Sequence, residues 1–299
     1  MSEDKKADAT VCCTACGIAE IDDIKLKDCD GCDLVKYCSD ECRENHASSH
    51  EEACKKRAAE LRDELLFKQP ESTHMGDCPI CMIPLSIDIE KSINYECCSK
   101  VVCRGCVTTM LLNDPNLSIE IPCPFCRSVT ITKEEVDKQR RKRIEANDPA
   151  ALCHEGKKHY NKGYYSRAFE YLSKAAELGD VRAHYHVAMM YRLGRGVEED
   201  EEKVKYHFEE AAIGGHPLAR HNLGINEYSN NNLERAVKHC IIAATQGYDA
   251  SMKTLMDRFR EGNVSKEDLA ATLRAHKAAV DATKSPEREL EEKISNLSG

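Results

Sequence analysis

Small apolar residues recur at fixed intervals through the second half of the chain. The stretches "AAELG" at 175–179, "AAIGG" at 211–215 and "AATQG" at 243–247 are offset by 36 and 32 residues. A second series, offset by 32, 36 and 32 residues, marks the other half of each unit: Ala151, Ala183, Ala219 and Ser251. Small residues let paired helices approach closely, and the Gly after each "AA-x-x" suits a left-handed helix C-cap. The pattern predicts helix hairpins that stack to bury their apolar sides.

The second of these units carries a family resemblance. The segment "AHYHVAMMYRLGRGVEEDEEKVKYHFEEAAIGG" resembles a Sel-one-like repeat, a relative of tetratricopeptide repeats, and its loop "LGRGVEED" matches that family's Gly-x-Gly-Val-x-x-Asp turn. As a phosphate loop it fails, because acidic residues follow where a Lys is needed. The resemblance covers about 148–283 and implies stacked helix pairs with a concave surface for partner proteins. The fourth unit is divergent, as a capping unit is.

The first half of the chain is polar and rich in cysteine. Sixteen of the 18 cysteines lie before residue 127. The N-terminal "MSEDKKADAT" has no apolar core of a signal peptide, and no apolar run approaches the length of a membrane helix. These features predict an intracellular protein, cytoplasmic or nuclear, with no membrane partner. In a reducing compartment clustered cysteines more often bind metal than form disulfides.

The first cysteine module contains eight well-spaced candidate ligands. Two C-x2-C pairs, whose tight turns aim both thiolates at one metal, precede five zinc-capable residues at four-residue intervals. Side chains four residues apart share a face if the segment is helical. Because a zinc ion takes four ligands, the eight best candidates make two sites, and His46 is left over. Cys12 could replace Cys13 as a ligand. The set is Cys13, Cys16, Cys29, Cys32, Cys38, Cys42, His50 and Cys54.

This order of ligands resembles the MYND zinc finger over residues 13–54. The resemblance implies interleaved sites, one formed by Cys13, Cys16, Cys38 and Cys42, and the other by Cys29, Cys32, His50 and Cys54. His46 falls where the family has a non-ligand residue, and Ala47 replaces the Trp commonly found beside it. MYND fingers recognise short, often proline-containing peptides, so the resemblance implies a peptide partner, without the aromatic wall that a Trp would supply.

A second cysteine module spans residues 78–130. Its candidate ligands are Cys78, Cys81, Cys97, Cys98, Cys103, Cys106, Cys123 and Cys126. This pattern resembles a RING finger with cysteine where most RINGs carry histidine. The resemblance implies that Cys78, Cys81, Cys103 and Cys106 share one zinc, and that Cys97, Cys98, Cys123 and Cys126 share another. Neighbouring side chains in an extended chain point to opposite faces, so Cys97 joins Cys98 on one zinc only through a sharp bend.

The RING resemblance also implies a second class of function. A RING docks a ubiquitin-conjugating enzyme and forms no covalent intermediate of its own. The resemblance implies that Ile80 and Pro124 contact the conjugating enzyme. It also implies that Arg127 is the cation that bridges the enzyme and ubiquitin. The alternative is that Ile80 and Pro124 shape the zinc loops and that Arg127 is a solvated arginine.

The remaining features favour structural metal and protein partners. Modules of about fifty residues bury little core and usually need staples. Every ligand position is filled by protein, which predicts about four structural zinc ions and disfavours a zinc hydrolase. The net charge of −9 argues against nucleic-acid binding. The run "KQRRKR" is an import signal or, favoured here, a solvated helix face. Six histidines of the array are expected to be core or surface residues without ligand-like grouping: His184, His186, His207, His216, His221 and His239.

The predicted fold is α+β: two cross-braced, zinc-stapled modules followed by an all-α helix-hairpin solenoid. The predicted order is a flexible tail (1–12), the MYND finger (13–54), a helix and linker (55–77), the RING-like finger (78–130), a charged linker helix (131–147), the repeats (148–283) and a charged C-terminal tail (284–299). The favoured function is a protein-interaction adaptor. The alternative is a RING-type ubiquitin ligase that selects substrates through the repeats or the MYND finger.

Overall fold

A computed structural model describes residues 12–20, 24–113, 123–128 and 132–297. The chain divides into two compact units, Met1–Lys68 and Gln69–Gly299. The predicted tail at 1–12 lies outside the described residues except for its last position. In the described part of the chain no helix is both long enough and apolar enough to cross a bilayer.

The first unit is a small hairpin followed by a long helix. Strands β1 (Lys27–Asp28) and β2 (Lys36–Tyr37) pair antiparallel, with Lys27 opposite Tyr37. Helix α1 (Asp40–Leu66) begins where the Ser39 side chain accepts a hydrogen bond from the backbone N–H of Cys42, 3.2 Å away. An N-cap of this kind satisfies one of the free N–H groups of the first turn. The helix therefore starts inside the cysteine pattern.

The second unit opens with the second cysteine module. A short 3-10 helix (Ile89–Lys91) leads into strands β3 (Ser92–Tyr95) and β4 (Lys100–Cys103), which pair antiparallel and pass directly into helix α2 (Arg104–Asn113). The core of the module is small, and three of its six buried residues are cysteines: Cys78, Leu85, Val102, Cys103, Cys106 and Val107. A core of this size agrees with a fold that needs metal to hold it.

Helices make up the rest of the second unit. The segments are α3 (Lys133–Glu145), α4 (Pro149–Asn161), α5 (Tyr165–Glu177), α6 (Val181–Arg192), α7 (Glu201–Ile213), α8 (Pro217–Ser229), α9 (Leu233–Thr245), α10 (Asp249–Arg260), α11 (Lys266–Ala282) and α12 (Pro286–Leu297). Helices α4 to α11 form the four predicted hairpins, in which α4 packs on α5, α6 on α7, α8 on α9 and α10 on α11. The helix-hairpin array predicted from the repeats is confirmed.

The repeated small residues occupy the helix contacts, as predicted. Each member of the series that begins at Ala151 is almost fully buried, and so is each "AA" pair. Gly179, Gly215 and Gly247 adopt left-handed backbone angles (φ 85°, 80° and 89°) after their helices end. Gly156 lies so close to Leu172 that a Cβ there would meet the leucine side chain at 2.6 Å. The repeat is thus set by contacts that admit only small side chains.

The second cysteine module and the segment before it contact the helices of the second unit at three separated places. On α3, which precedes the array, the buried Arg140 pairs with Glu96 of the module. In the middle of the array, the Gly215 carbonyl accepts a hydrogen bond at 3.0 Å from the backbone N–H of His74, which precedes the module. At the far end α12 packs along α2. The predicted charged tail is therefore largely a helix that docks on the module, and the module and the array form one unit.

Candidate metal centres

Three of the C-x2-C pairs share one backbone turn. The N–H of the first cysteine donates to the carbonyl five residues on, at 2.7–3.0 Å, and its carbonyl accepts from the N–H four residues on, at 2.8–2.9 Å. The residue after the second cysteine takes a left-handed conformation in each turn: Gly17 (φ 76°), Met82 (φ 57°) and Arg127 (φ 56°). Only the glycine signals this conformation in the sequence, because left-handed angles are uncommon for other residues. The turn points both sulfurs of the pair to one side.

The structure assembles the predicted ligands into four sets of four donors. Within each set the ligand atoms lie within 4.8 Å of one another. We name them the first donor group (Cys13, Cys16, Cys38, Cys42), the second (Cys29, Cys32, His50, Cys54), the third (Cys78, Cys81, Cys103, Cys106) and the fourth (Cys97, Cys98, Cys123, Cys126). The interleaving matches the arrangement that the two resemblances implied. Cys12 is exposed and lies outside all four groups.

Helix α1 supplies ligands to both groups of the first unit. Cys42, in its first turn, belongs to the first donor group. His50 and Cys54, further along the helix, belong to the second donor group. His46, left over in the sequence, accepts or donates a 2.9 Å hydrogen bond with the Tyr37 hydroxyl at Nδ1 and stacks on the His50 ring, with 5.5 Å between ring centroids. His46 therefore orients a ligand histidine, and only its helical spacing from His50 pointed to this role.

A tight turn resolves the problem of the adjacent cysteines in the fourth group. The N–H of Cys98 donates to the Tyr95 carbonyl at 3.1 Å, and Ser99 follows with a left-handed backbone (φ 52°). This bend lets Cys97 and Cys98 face the same point, which an extended chain would not allow. The Cys98 sulfur lies 3.5 Å from the sulfur of Cys123, a ligand from the other cysteine pair of the group. The geometry includes Cys97, and its ligation of zinc remains a prediction.

The donor spacing fits tetrahedral zinc. With Zn–S bonds of about 2.3 Å, the edge of a tetrahedron of sulfurs is about 3.8 Å. Sulfur pairs within the groups are 3.6 Å apart for Cys16 and Cys38, 3.7 Å for Cys29 and Cys54, and 3.9 Å for Cys78 and Cys106. Four sulfur or imidazole donors per group are the ligand types of structural zinc sites. The residues therefore fit several structural zinc ions.

Within a donor group the pKa values of the thiols are shifted in opposite directions. At Cys13 burial raises the pKa, but backbone N–H donors outweigh it and bring the pKa down to about 6. In the same group hydrogen bonds with two other thiols raise the pKa of Cys38 to about 12. The fourth group repeats the contrast: the pKa of Cys126 is lowered to about 6 although burial opposes this, and burial raises that of Cys97 to about 12. A divalent cation supplies the charge that complete ionisation requires.

Comparison with known families agrees with two of the three resemblances. The family model of the MYND finger matches residues 13–54, and that of the Sel1 repeat matches 156–180, 181–216 and 217–248. The chain carries a MYND finger and Sel1 repeats. Both modules are protein-interaction modules in general, which supports a zinc-binding protein-interaction adaptor. The RING-like character of residues 78–130 remains a prediction from its ligand pattern.

Two solved structures of repeat proteins match part of this chain, both with TM-scores below 0.5. A Sel1 repeat protein from Oxalobacter formigenes is 27% identical over 52% of this chain and 67% of that chain, with a TM-score of 0.44. A protective antigen present in uropathogenic Escherichia coli strains, which displays an SLR fold, is 18% identical over 57% of this chain and 38% of that chain, with a TM-score of 0.38. A search of curated proteins found no match.

The three residues assigned to a conjugating enzyme border the third and fourth groups. Ile80, between two ligands of the third group, is 39% exposed. Arg127, directly after a ligand of the fourth group, is exposed, and Pro124 is partly buried. The left-handed backbone at Arg127 (φ 56°) was not predicted from the sequence.

The Sel1 array contains no further metal group among the residues that the structure describes. Its two cysteines are packed thiols, and burial raises the pKa of Cys153 to about 12 and that of Cys240 to about 11. The Nδ1 atoms of His184 and His207 lie 3.0 Å apart, a hydrogen-bonded pair of partly buried histidines.

The expected solvated face of "KQRRKR" is wrong at one position. Arg140 is only 5% exposed and pairs with three carboxylates, those of Glu96, Asp137 and Glu155. A buried guanidinium requires such partners because removing it from water is costly. The pattern of charges along α3 alone did not show that one arginine turns inward.

Proposed function

We propose that this chain is an adaptor whose MYND finger and Sel1 array bind segments of partner proteins, with zinc holding the fingers in shape. One observation carries the proposal: each donor group is complete, with four protein donors. A catalytic zinc keeps one position for water or substrate, whereas a structural zinc is closed by protein ligands. Closed sites on small modules beside a helix-hairpin array suit recognition of other proteins.

The MYND finger offers an exposed apolar surface for a short peptide. Ile18, which closes the first cysteine turn, is exposed, and Leu34, between the second cysteine pair and β2, is 55% exposed. The tryptophan position is held by Ala47, which is exposed on α1. Aliphatic side chains pack against proline rings without hydrogen bonds, so a proline-containing peptide is the occupant that this surface favours.

A peptide array tests this function. Proline-containing peptides are probed with the wild type, with Leu34→Glu and with the control Leu65→Glu, which alters a leucine near the end of α1, beyond the finger and outside the array, that is 48% exposed. We expect Leu34→Glu to weaken binding about tenfold or more, since one buried leucine contributes roughly 1.5–3 kcal/mol, and Leu65→Glu to bind like the wild type. Equal binding by all three proteins, or no bound peptide, would contradict the proposal.

A second candidate function is ubiquitin transfer, with the RING-like finger as the docking site. This function is favoured by the exposure of Ile80 and Arg127, which lie in the cysteine turns of the third and fourth donor groups. The test is discharge of ubiquitin from a panel of loaded conjugating enzymes by wild type, Ile80→Ala and Arg127→Ala, with Arg141→Ala on α3 as the control. Faster discharge by wild type and the control alone supports the ligase. No acceleration with any enzyme of the panel refutes it.

A further inference from the structure

An arginine from the far end of the array reaches the third donor group. Arg288 lies in the first turn of α12, and one guanidinium nitrogen, Nη2, is 3.5 Å from the Cys81 sulfur. The same nitrogen donates to the Ile83 carbonyl at 3.1 Å, while Nη1 donates to the carbonyls of Pro84 and Thr283, each at 2.7 Å. The guanidinium thus bridges a ligand sulfur, the loop that follows that ligand, and the turn before its own helix.

The approach of α12 is built into the backbone of the finger. Gly105 lies between two ligands of the third group, and a Cβ there would meet the Arg288 N and Cα and the Glu287 carbonyl carbon at 2.7–2.8 Å. Any other residue would push α12 outward. Further along the helix Glu292 pairs with Lys91 at 2.7 Å. Two contacts besides the arginine therefore hold α12 against the finger.

The chemistry of a four-thiolate site gives this contact a purpose. A divalent zinc with four thiolates carries about two net negative charges, and donors to the sulfurs stabilise that charge. The planar fork of arginine suits it to one acceptor on each side, which a lysine ammonium does not reproduce. In the first unit Arg43 and Arg57 use their guanidinium groups on carboxylates instead, those of Asp30 and Asp33.

We propose that Arg288 is a positioning residue of the third zinc centre, so that metal retention by Cys78, Cys81, Cys103 and Cys106 depends on α12. The finger and the last helix are then coupled through a metal site rather than through apolar packing alone. Release of α12 loosens the third centre, and loss of that metal frees α12. The inference rests on zinc binding by the third donor group and goes beyond the adaptor function.

The test follows each cysteine during metal removal from the full-length protein. A chelator is added with N-ethylmaleimide, and mass spectrometry records the alkylation rate of every cysteine. Partners that orient metal ligands typically change metal affinity by about 10- to 100-fold. We expect Arg288→Met to speed alkylation of the four third-group cysteines by about tenfold or more and to leave the first and second groups unchanged. Arg288→Lys should fall between this variant and the wild type.

Two further variants keep the result interpretable. Arg260→Met removes an exposed arginine of α10 that pairs with Asp257, and it should behave as the wild type does. Gly105→Ala keeps Arg288 but displaces α12, and it should speed the same four cysteines. Equal rates for Arg288→Met and wild type, or acceleration spread evenly over all groups, overturn the proposal. Third-group cysteines that react as fast as Cys12 in the wild type overturn it too, by showing that no metal protects them.

Discussion

His216 caps the start of helix α8, and replacing it tests how much this buried ring stabilises the fold. His216 is 6% exposed, and its Nδ1 accepts the hydrogen bond from the backbone N–H of Ala219 at 3.3 Å, as an N-cap. Its ring stacks between those of His74 and Tyr185, with centroids 4.1 and 4.5 Å away. Only a neutral imidazole has a lone pair on Nδ1 to accept this bond. Protonation at Nδ1 therefore removes the cap.

The surroundings oppose that proton. Burial first, and then the charges that His74, His186 and Arg182 would carry, hold the pKa of His216 well below its usual value of 6.5. The folded state keeps the ring neutral while the unfolded chain binds a proton below about pH 6.5. The contribution to stability is thus fully present above about pH 6.5 and is lost as the pH falls toward the folded pKa. For one such histidine the loss approaches about 1.4 kcal/mol per pH unit.

The perturbation is His216→Asn, which keeps an acceptor at the cap and does not titrate. At neutral pH we expect a loss of about 1–3 kcal/mol, because two ring stacks disappear. Between about pH 6.5 and pH 4.5 the wild type should lose about 2 kcal/mol more stability than the variant. Urea denaturation followed by circular dichroism at several pH values measures both quantities. Contributions of distant groups cancel in the comparison, whereas His74 and His186 act on His216 electrostatically, so their own titration is part of the measured difference.

His216→Ala separates the cap from the proton. It should cost about 1 kcal/mol more than the asparagine variant at neutral pH, because alanine cannot cap the helix. Its dependence on pH should match that of His216→Asn. Parallel stability curves for wild type and His216→Asn from about pH 6.5 to pH 4.5 would refute the reasoning, since the buried imidazole would then not be the group that takes up the proton.

Three further predictions concern the ion cluster, the array and the metals. Arg140→Met should lower the free energy of unfolding by about 1–3 kcal/mol because it leaves three partly buried carboxylates without their cation, whereas Arg141→Met on the exposed face of α3 should change it little; chemical denaturation distinguishes them. Gly224→Ala places a Cβ 3.0 Å from a sulfur of the facing helix, so overpacking of about 1–3 kcal/mol is expected in the same assay. Elemental analysis should find about four zinc ions per chain, and Cys97→Ser should lower this by one; four ions in that variant would remove Cys97 from the ligands.

Local spacing predicted the features that depend on neighbouring residues. The small residues at 32- and 36-residue offsets recur at helix contacts because each hairpin meets the next in the same way. The cysteine pairs predicted the candidate ligands because a C-x2-C turn and an i,i+4 pair have nearly fixed geometry, whereas the division into four interleaved groups was implied by the family resemblances. The stacking of His46 on His50 was not predicted, although their four-residue spacing on α1 is what brings the two rings together.

Contacts between distant segments could not be predicted in this way. The docking of α12 on the finger and the stacking of His74 on His216 join segments that are far apart in the sequence. The inward turn of Arg140 depends on carboxylates of the module, of its own helix and of the next helix: Glu96, Asp137 and Glu155. No short stretch of sequence displays such contacts. The bend that brings Cys97 beside Cys98 was expected from their shared site, but the residue that makes it was not predicted, because Ser99 is not a residue type that signals a left-handed turn.

The reach of Arg288 back to the Cys81 loop has a consequence for biosynthesis. The two residues are 207 positions apart, and at about 5–20 residues per second the ribosome needs about 10–40 s to pass from one to the other. During that interval the newly made thiolates can take up metal, but their arginine does not yet exist. A nascent finger is therefore exposed to oxidation and to metal exchange for longer than an autonomous domain of its size, and expression of excised fragments would make that interval permanent.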